Sequence, residues 1–586
     1  MAGFGFHTVQ EWPLRLPAFR KKAEAFLAEN GLRLEPVESW YVIENEAGDI
    51  VAGGGLDKDI IKCIAVSEQA RGEGLMAQLV SHLLAKAGEN GYHNIKVYTK
   101  PANRSQFEDL GFHLLAQAPE IILLENGRGL QDYCNGLAQR RIPEKCGVVV
   151  INADPMTLGH KYLIEQAAAR IDHLYVIVLG GDRSRFTADA RLRLVEKVCR
   201  RMDNVSVLGG GDYCISPATF PSYFLKNLDS IAEQQMRLDL DLFARHIAPA
   251  LRAWVRFVGS EPLDPMTARY NEIMREVLGA HDMEVREIPR LERDGRPVSA
   301  SEVRSLLDAG DWTAASHLCP GCARAYLLGD VAAAALRLEL DAPDKPGMVC
   351  PDSRGSHDDM DYDLMLRSIE ALRPHFVRLA AWGAWQDVLF GNELTEMGLE
   401  AEKAMLRATG GVNTHKGALF SLGLTAAAAG RVLREDGSLT ADTLQDQIRE
   451  LAETIAPLDS VAMRQTHGTD IARDHTVRGA LDMALDGYRE LFADWLPYWR
   501  EVKHEKYGLQ KTLLRILSTL DDTCVIHRAG YARAQEIKAE AAALLADFDP
   551  QELKLMDRRF VSERVSPGGS ADMLALTIYV GLLINN

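Results

Sequence analysis

Along the first part of the chain, short apolar runs rich in β-branched residues alternate with longer stretches of helical spacing. Residues 41–43, 50–52, 60–66 and 97–98 read as strands, with helices over 75–88 and 103–110. The alternation resumes from Pro143 to about Ala315, with strands at 148–151, 174–179, 205–208 and 254–258. A strand covered on both faces is apolar throughout, so these runs predict a parallel sheet flanked by helices. Beyond Arg324 the pattern changes: 331–340, 417–432, 444–455, 481–495, 509–520 and 532–545 carry helical periodicity, with almost no β-rich run between them. No fixed-period repeat appears, which predicts a bundle rather than a solenoid. The apolar run 574–584 falls well short of the roughly 20 residues that span a bilayer, so it is expected to be a buried C-terminal helix. Together these patterns predict a multidomain α/β and all-α protein: an α/β domain over 1–125, a Rossmann-like α/β domain over 126–323 and an all-α bundle over 324–586.

Charge and cysteine content narrow the functional classes. A formal net charge of −17 leaves no basic excess to replace the counterions of nucleic acid, so anionic ligands must be met by local Arg, Lys and helix ends. Nine cysteines, an odd number scattered along the chain, form no disulfide framework and fit a reducing, cytoplasmic setting. Cys319-Pro320-Gly321-Cys322 is a lone CxxC, read as a turn between domains rather than a zinc site. Residues 1–13 have no basic segment followed by an apolar one, so no signal peptide or membrane association is expected.

Two segments of the middle region carry nucleotide chemistry. The run Val148-Val149-Val150-Ile151 leads through Asn152-Ala153-Asp154-Pro155 into Thr157-Leu158-Gly159-His160, a strand, a turn and a helix start where free N–H groups and an imidazole favour an anion. Downstream, Val298-Ser299-Ala300-Ser301-Glu302-Val303-Arg304 opens another helix with two hydroxyls and a guanidinium able to reach phosphates. Asn152, Asp182 and Gly259 fall at the carboxyl ends of strands, where such sheets collect ligands.

The pair resembles the HxGH and ISSxxxR elements of the nucleotidyltransferases, with Thr157 in place of the first His. Ser216-Pro217-Ala218-Thr219-Phe220-Pro221-Ser222-Tyr223-Phe224, Gly259-Ser260-Glu261-Pro262, Thr267 and Tyr270-Asn271 narrow the resemblance to the citrate lyase ligases. That resemblance implies ATP and acetate as substrates, acetyl-AMP and pyrophosphate as products of the first step, and the thiol arm of the citrate lyase acyl carrier subunit as acetyl acceptor. It places His160 at the developing charge, Lys161 and Arg304 on the outer phosphates, Ser299 and Ser301 as supporting donors, and Asn152, Thr157 and Gly159 around the nucleotide.

In the first domain, Gln69-Ala70-Arg71-Gly72-Glu73-Gly74 forms a glycine-containing turn ahead of a helix, an anion nest suited to a pyrophosphate. With its flanking strands and Gly111-Phe112, this segment resembles a GNAT acyltransferase. The resemblance implies a coenzyme-A-type arm held by Gln69, Arg71, Gly72 and Gly74. No general base emerges from the sequence, so docking of the carrier's arm without acetyl transfer is expected.

The C-terminal region gathers its polar residues at helix junctions. Gly410 and Gly411, with His415 and Lys416, read as a phosphate cradle ahead of an apolar helix, and Asp359, Asp521, Asp522 and Asp572 as oxygen ligands for Mg²⁺ on a triphosphate. In order and nearly throughout, these clusters resemble triphosphoribosyl-dephospho-CoA synthase. That implies ATP with Mg²⁺ and dephospho-CoA as substrates, release of adenine, and catalytic roles for His415 and Asp522, with no prosthetic group of the chain's own. Cys350 stands where an acidic residue is expected after Pro346-Gly347-Met348-Val349; were that position a ligand, Asp352 would have to replace it. Two alternatives remain at this point: a non-catalytic coenzyme- and nucleotide-binding regulator, and a C-terminal half serving malonate decarboxylase.

Overall fold

The computed structural model describes residues 8–180, 184–213, 228–260, 265–309, 311–386, 388, 390–434, 439–462 and 477–584. These fall into two compact units, Met1–Ala153 with Gly159–Pro297, and Asp154–Leu158 with Val298–Asn586.

The first unit holds two large sheets and a two-stranded ribbon of Glu292–Arg293 with Arg296–Pro297. One has seven strands, β1 (Val9–Glu11), β2 (Ser39–Glu44), β3 (Ile50–Asp57), β4 (Ile60–Val66), β5 (Ile95–Thr99), β6 (His113–Gln117) and β7 (Ile122–Asn126), in the order β1-β2-β3-β4-β5-β7-β6. All neighbours are antiparallel except β4 and β5, whose parallel pairing covers only Ile60↔Lys96 and Ile61↔Val97. Past those pairs the register ends, leaving the last residues of β4 without a ladder partner on that side.

The other sheet is fully parallel, with β8 (Cys146–Ile151), β9 (His173–Val178), β10 (Val205–Gly209), β11 (Ala253–Gly259) and β12 (Glu284–Ile288) in the order β10-β9-β8-β11-β12. The order reverses at β8, so Asn152 and Gly259 follow or end adjacent strands at a switch point, where α/β sheets bind ligands. Asp182 lies outside the described residues. The apolar runs correspond to β8–β11, whereas β12 escapes the pattern because it is an edge strand with mostly exposed residues.

The two sheets on either side of 125/126 belong to one compact unit. Trp40, Val42 and Leu115 of the antiparallel sheet share one core cluster with Val148, Tyr175 and Ile177 of the parallel one. Polar groups stitch the same joint. The buried Lys96 ammonium pairs with Asp59 at 2.7 Å, donates to the Asp212 carbonyl at 3.3 Å and sits over the Tyr213 ring. The fully buried Glu125 carboxylate accepts the Tyr213 hydroxyl and the Leu130 N–H.

The second unit is helical: among its described residues the only β pairing is the Cys350–Ser353 bridge. Its centre is three helices, Gly321–Asp341, Tyr362–Trp385 and Lys416–Arg434. They approach until backbone touches backbone. A Cβ at Gly329 would lie 2.3 Å from Val377, one at Gly383 2.0 Å from the Ala427 carbonyl, and one at Gly430 2.1 Å from the Ala380 carbonyl. The helix Gly568–Leu583 is buried along almost its whole length, as its sequence predicts. Two expectations change. The helix expected over 481–495 is broken after Ala480–Leu485, where Gly487 and Tyr488 take positive φ and the Gly487 carbonyl accepts from Gln445. And the seam expected at Cys319 moves upstream, because Val298 onward packs with the helical unit. Among the described residues no helix is long and apolar enough to cross a membrane.

Tyr213→Phe removes a donor from a carboxylate that has no access to water. We expect a loss of about 1–3 kcal/mol, read as a lower denaturant midpoint at unchanged slope.

Candidate functional site

A cavity of about 360 Å³ opens in the helical unit where the N-termini of Lys416–Arg434, Thr523–Ala529 and Gly568–Leu583 meet the helix Gly321–Asp341. Asp522 holds two of those ends together. Its Oδ1 accepts the N–H groups of Cys524, Val525 and Gly569, and its Oδ2 accepts the N–H and the hydroxyl of Ser570, five donors in all. Burial pushes its carboxyl up and the donors pull it down; burial is the larger.

Asp572, on the cavity wall, plays the corresponding part at the third end, accepting the Ala418 N–H. The contact requires glycine at 417, since a Cβ there would meet Asp572 Oδ2 at 2.0 Å. Burial, with the carboxylates of Asp522 and Glu339 nearby, holds the Asp572 carboxyl well above its usual range. Glu339 itself is neutralised by a buried ion pair with Lys345.

His415 is 4% exposed and borders the cavity. The Thr414 hydroxyl donates to Ser368 Oγ at 2.7 Å, and Ser368 Oγ lies 2.8 Å from His415 Nδ1. His415 Nε2, across the ring, is shielded from water and has no hydrogen-bond partner among the described residues. Burial, and secondarily the Lys345 ammonium, hold this imidazole down to about 3, so it is neutral at neutral pH. On the opposite wall His357 Nε2 pairs with Ser566 Oγ at 2.9 Å; burial and Arg528 lower its affinity for a proton.

Several expected site residues stand elsewhere. Gly410 and Gly411 terminate the preceding helix Gly391–Ala408, with φ of +66° and +94° and the Gly411 N–H closing on the Leu406 carbonyl at 2.7 Å. The chain reaches the cavity only at Asn413, and of the expected cradle His415 and Lys416 border it, Lys416 being paired with Glu402 at 2.8 Å. The four expected metal ligands do not gather. Asp521 is tied to Lys538 and Gln535, Asp359 is 63% exposed, Asp522 has both oxygens engaged by protein donors, and only Asp572 borders the cavity. Among the described residues no group of three His, Cys, Asp or Glu could hold a metal. These acids therefore do not fit Mg²⁺ as a common site. Cys350 is buried with its backbone bonded to Ser353, Asp352 is exposed, and neither borders the cavity.

In the first unit a cleft of about 820 Å³ occupies the gap left by the short β4–β5 pairing, lined by residues of β4 on one side and by Thr99, Lys100 and Asn103 on the other. Arg71, Gly72 and Gly74 line it; Gln69 does not. Gly72 and Gly74 take φ of +91° and +78°, and Gly74 begins the helix Leu75–Glu89 with no side-chain cap, leaving its first N–H groups open. Among the described residues, the ionisable groups on the cleft wall are Arg71, Lys100 and Asp109, with no His, Cys, Tyr or Glu.

The remaining predicted residues are placed as follows. His160 and Lys161 lie in the first turns of the helix Leu158–Ala168, Gly159 just before them, and Lys161 Nζ is 3.6 Å from Glu165. Thr157 is buried. Ser299 caps the helix Ala300–Asp308 by accepting the Glu302 N–H at 3.1 Å, and Ser301 Oγ is 3.5 Å from its hydroxyl. Arg304 donates to the Asp154 carbonyl. Asn152 accepts through carbonyl and side chain from Arg191, a 1%-exposed guanidinium that also binds the carbonyls of Leu179 and Phe186. Arg191, like Ser368, gives no signal in sequence, as its role comes from strand ends distant along the chain. Tyr270 donates to Asp239, and Asn271 to the Gly259 carbonyl, so both brace the sheet. Residues 216–224 and 261–262 lie outside the described residues.

Three family models match the chain: citrate lyase ligase C-terminal domain over 146–327, ATP:dephospho-CoA triphosphoribosyl transferase over 325–586, and the acetyltransferase (GNAT) family over 6–112. The [Citrate [pro-3S]-lyase] ligase of Klebsiella pneumoniae is 39% identical over 316 residues, covering 53% of this chain and 92% of that protein. The "Probable 2-(5''-triphosphoribosyl)-3'-dephosphocoenzyme-A synthase" of Stutzerimonas stutzeri is 34% identical over 273 residues, 44% of this chain and 91% of that protein. The namesake from Acinetobacter calcoaceticus is 30% identical, at 43% and 88%. The chain belongs to both families, ligase first and synthase second.

The 360 Å³ cavity lies wholly within the synthase half, and the 820 Å³ cleft within the GNAT part of the ligase half. The synthase family begins near 325, whereas the packing unit begins at Val298, so the helix bearing Ser299, Ser301 and Arg304 belongs to the ligase family but to the synthase unit.

Because Asp522 serves as a double helix cap, Asp522→Asn should cost about 3 kcal/mol or more, the sum of two weakened charged hydrogen bonds. The check is a thermal melt of the synthase unit. An unchanged melt with lost activity would return Asp522 to a direct chemical role.

Proposed function

We propose that this chain is a bifunctional maturation enzyme for citrate lyase. The ligase half acetylates the prosthetic-group thiol of the acyl carrier subunit, and the synthase half makes the triphosphoribosyl-dephospho-CoA precursor of that group. The observation that carries the reading is the end-to-end span of two enzyme families, at 92% and 91% of the lengths of their relatives. The ligase half speaks for citrate lyase, rather than another carrier, as the destination.

In the ligase half, an acetate oxygen attacks the α-phosphorus of ATP, pyrophosphate leaves, and the carrier's thiolate then displaces AMP from the acetyl carbon to form the thioester. Donors aimed at the phosphates stabilise the charge that develops there; His160 is the residue proposed for the α-phosphate, Lys161 and Arg304 for the outer ones. In the synthase half, the bond from the ribose C1′ to adenine N9 breaks with its electron pair going to the base. The 2′-oxygen of dephospho-CoA bonds to C1′, and its proton is taken up in the site and passed on to the departing adenine, which leaves neutral. Asp572 is the proposed acceptor, since burial and neighbouring carboxylates raise its carboxyl toward the range useful for proton transfer. The cleft between β4 and β5 is proposed as a dock for the carrier's arm, its pyrophosphate on Gly72, Gly74 and the open helix end; a wall without His, Cys, Tyr or Glu supports docking over acetyl transfer.

The decisive experiment incubates the protein with ATP and dephospho-CoA and measures free adenine, then with ATP, acetate and deacetylated carrier and measures pyrophosphate. Absence of either product removes that half of the reading. His160→Ala should reduce acetate-dependent pyrophosphate release by two to three orders of magnitude, roughly the value of one transition-state donor, and leave adenine release intact. Gly72→Asp, which puts a carboxylate in the nest, should slow thioester formation on the carrier while acetyl-AMP still forms. Equal loss of both steps would refute docking.

A further inference from the structure

Among the described residues that line the synthase cavity, one carries a buried polar side-chain atom with no hydrogen-bond partner. A buried donor without a partner costs stability, so its retention points to a partner that arrives from outside. That group is His415 Nε2.

Its protonation state follows from its neighbours. Thr414 donates its proton to Ser368 Oγ. The remaining contact of Ser368 Oγ is His415 Nδ1, so the serine proton is directed there and Nδ1 is the acceptor. A neutral imidazole carries one proton, and the network assigns it to Nε2. A ring locked this way has no lone pair on Nε2 and cannot serve there as a base. It can only donate.

The surroundings favour a neutral ring system as the acceptor over a phosphate. Ser368 lies one helical turn from Met365 on the helix Tyr362–Trp385, and Met365, Met348, Val349 and Leu336 form an apolar wall. The backbone N–H of His415 lies against the Met405 sulfur at 3.4 Å. Thioethers pack well on flat π-systems, whereas burying a triphosphate against them would strip its hydration without compensation. The cations that suit phosphates, Lys416 and Arg528, are more exposed.

We propose that His415 Nε2–H donates to a ring nitrogen of the adenine of ATP, holding the base and stabilising it as it departs with the electron pair of the C1′–N9 bond. This rests on the reading of the cavity as the triphosphoribosyl-transfer site. Ser368 and Thr414 act as positioning residues that fix the tautomer.

The test compares the wild type with His415→Leu and Ser368→Ala, using ATP, 3-deaza-ATP and 7-deaza-ATP with dephospho-CoA and following release of the base. In the wild type one analogue should react on the order of 10²-fold more slowly than ATP, the value of a lost donor contact. That penalty should shrink at least about tenfold in His415→Leu and partly in Ser368→Ala, where the ring is free to change tautomer. Identical penalties in all three proteins for both analogues would overturn the proposal. Calorimetry supplies an independent reading on folded protein: His415→Leu should weaken binding of adenine alone and leave inorganic tripolyphosphate unchanged. The reverse result, or a wild type that does not bind adenine, also overturns it. A wild type that binds adenine through His415 but releases none from ATP and dephospho-CoA would instead remove the transfer reading and keep the donor.

Discussion

The synthase half depends on a buried carboxyl group satisfied by helix-end donors. Helix N-termini each leave N–H groups without intrahelical partners, and burying several of them around one cavity would be prohibitive unless something accepted those protons. Asp522 does so for two helices at once. Five donors offset part of the cost of burying that carboxyl group, and the two helices are fixed in mutual position to within a hydrogen bond. The cavity exists because its walls are tied at this point.

The same logic holds the ligase sheet with the sign reversed. Carbonyl oxygens just past strand ends need donors, and the buried guanidinium of Arg191 collects those of Asn152 and Leu179 together with that of Phe186 ahead of its own helix. It aligns the carboxyl ends of β8 and β9, which is where a parallel sheet presents ligands. In both halves a single buried side chain organises loose backbone ends beside a ligand-binding edge.

Close helix approach sets the rest of the synthase geometry. Gly329, Gly383 and Gly430 bring the three central helices into backbone contact, and Gly417 lets Asp572 lie directly over a helix start. An alanine at any of them meets backbone or carboxylate rather than a side chain that could turn away. This tight packing also seals His415 from water, which is why its ring is neutral and its donor unsatisfied. Packing density is thus converted into electrostatic character at the site.

The order of elements and both family memberships were legible in sequence. The apolar runs of β8–β11 mark a doubly covered parallel sheet, and the loss of β-rich runs after Arg324 marks the helical half, because burial on both faces or on one stripe imprints its period on the chain. The helix starts at Leu158 and Leu75 and the glycine turn ahead of the latter were also readable, since short-range motifs fix local backbone. What only the tertiary structure decided involves partners far apart in sequence. Asp522 became a cap shared with Ser570, Gly410 and Gly411 became a helix stop, and the acids expected on one ion went to separate neighbours. Arg191 and Ser368 took on roles that no pattern announces, and the residues from Val298 onward joined the helical unit although their family lies upstream. Periodicity reports which face of an element is buried; it carries no record of which distant group will meet that face.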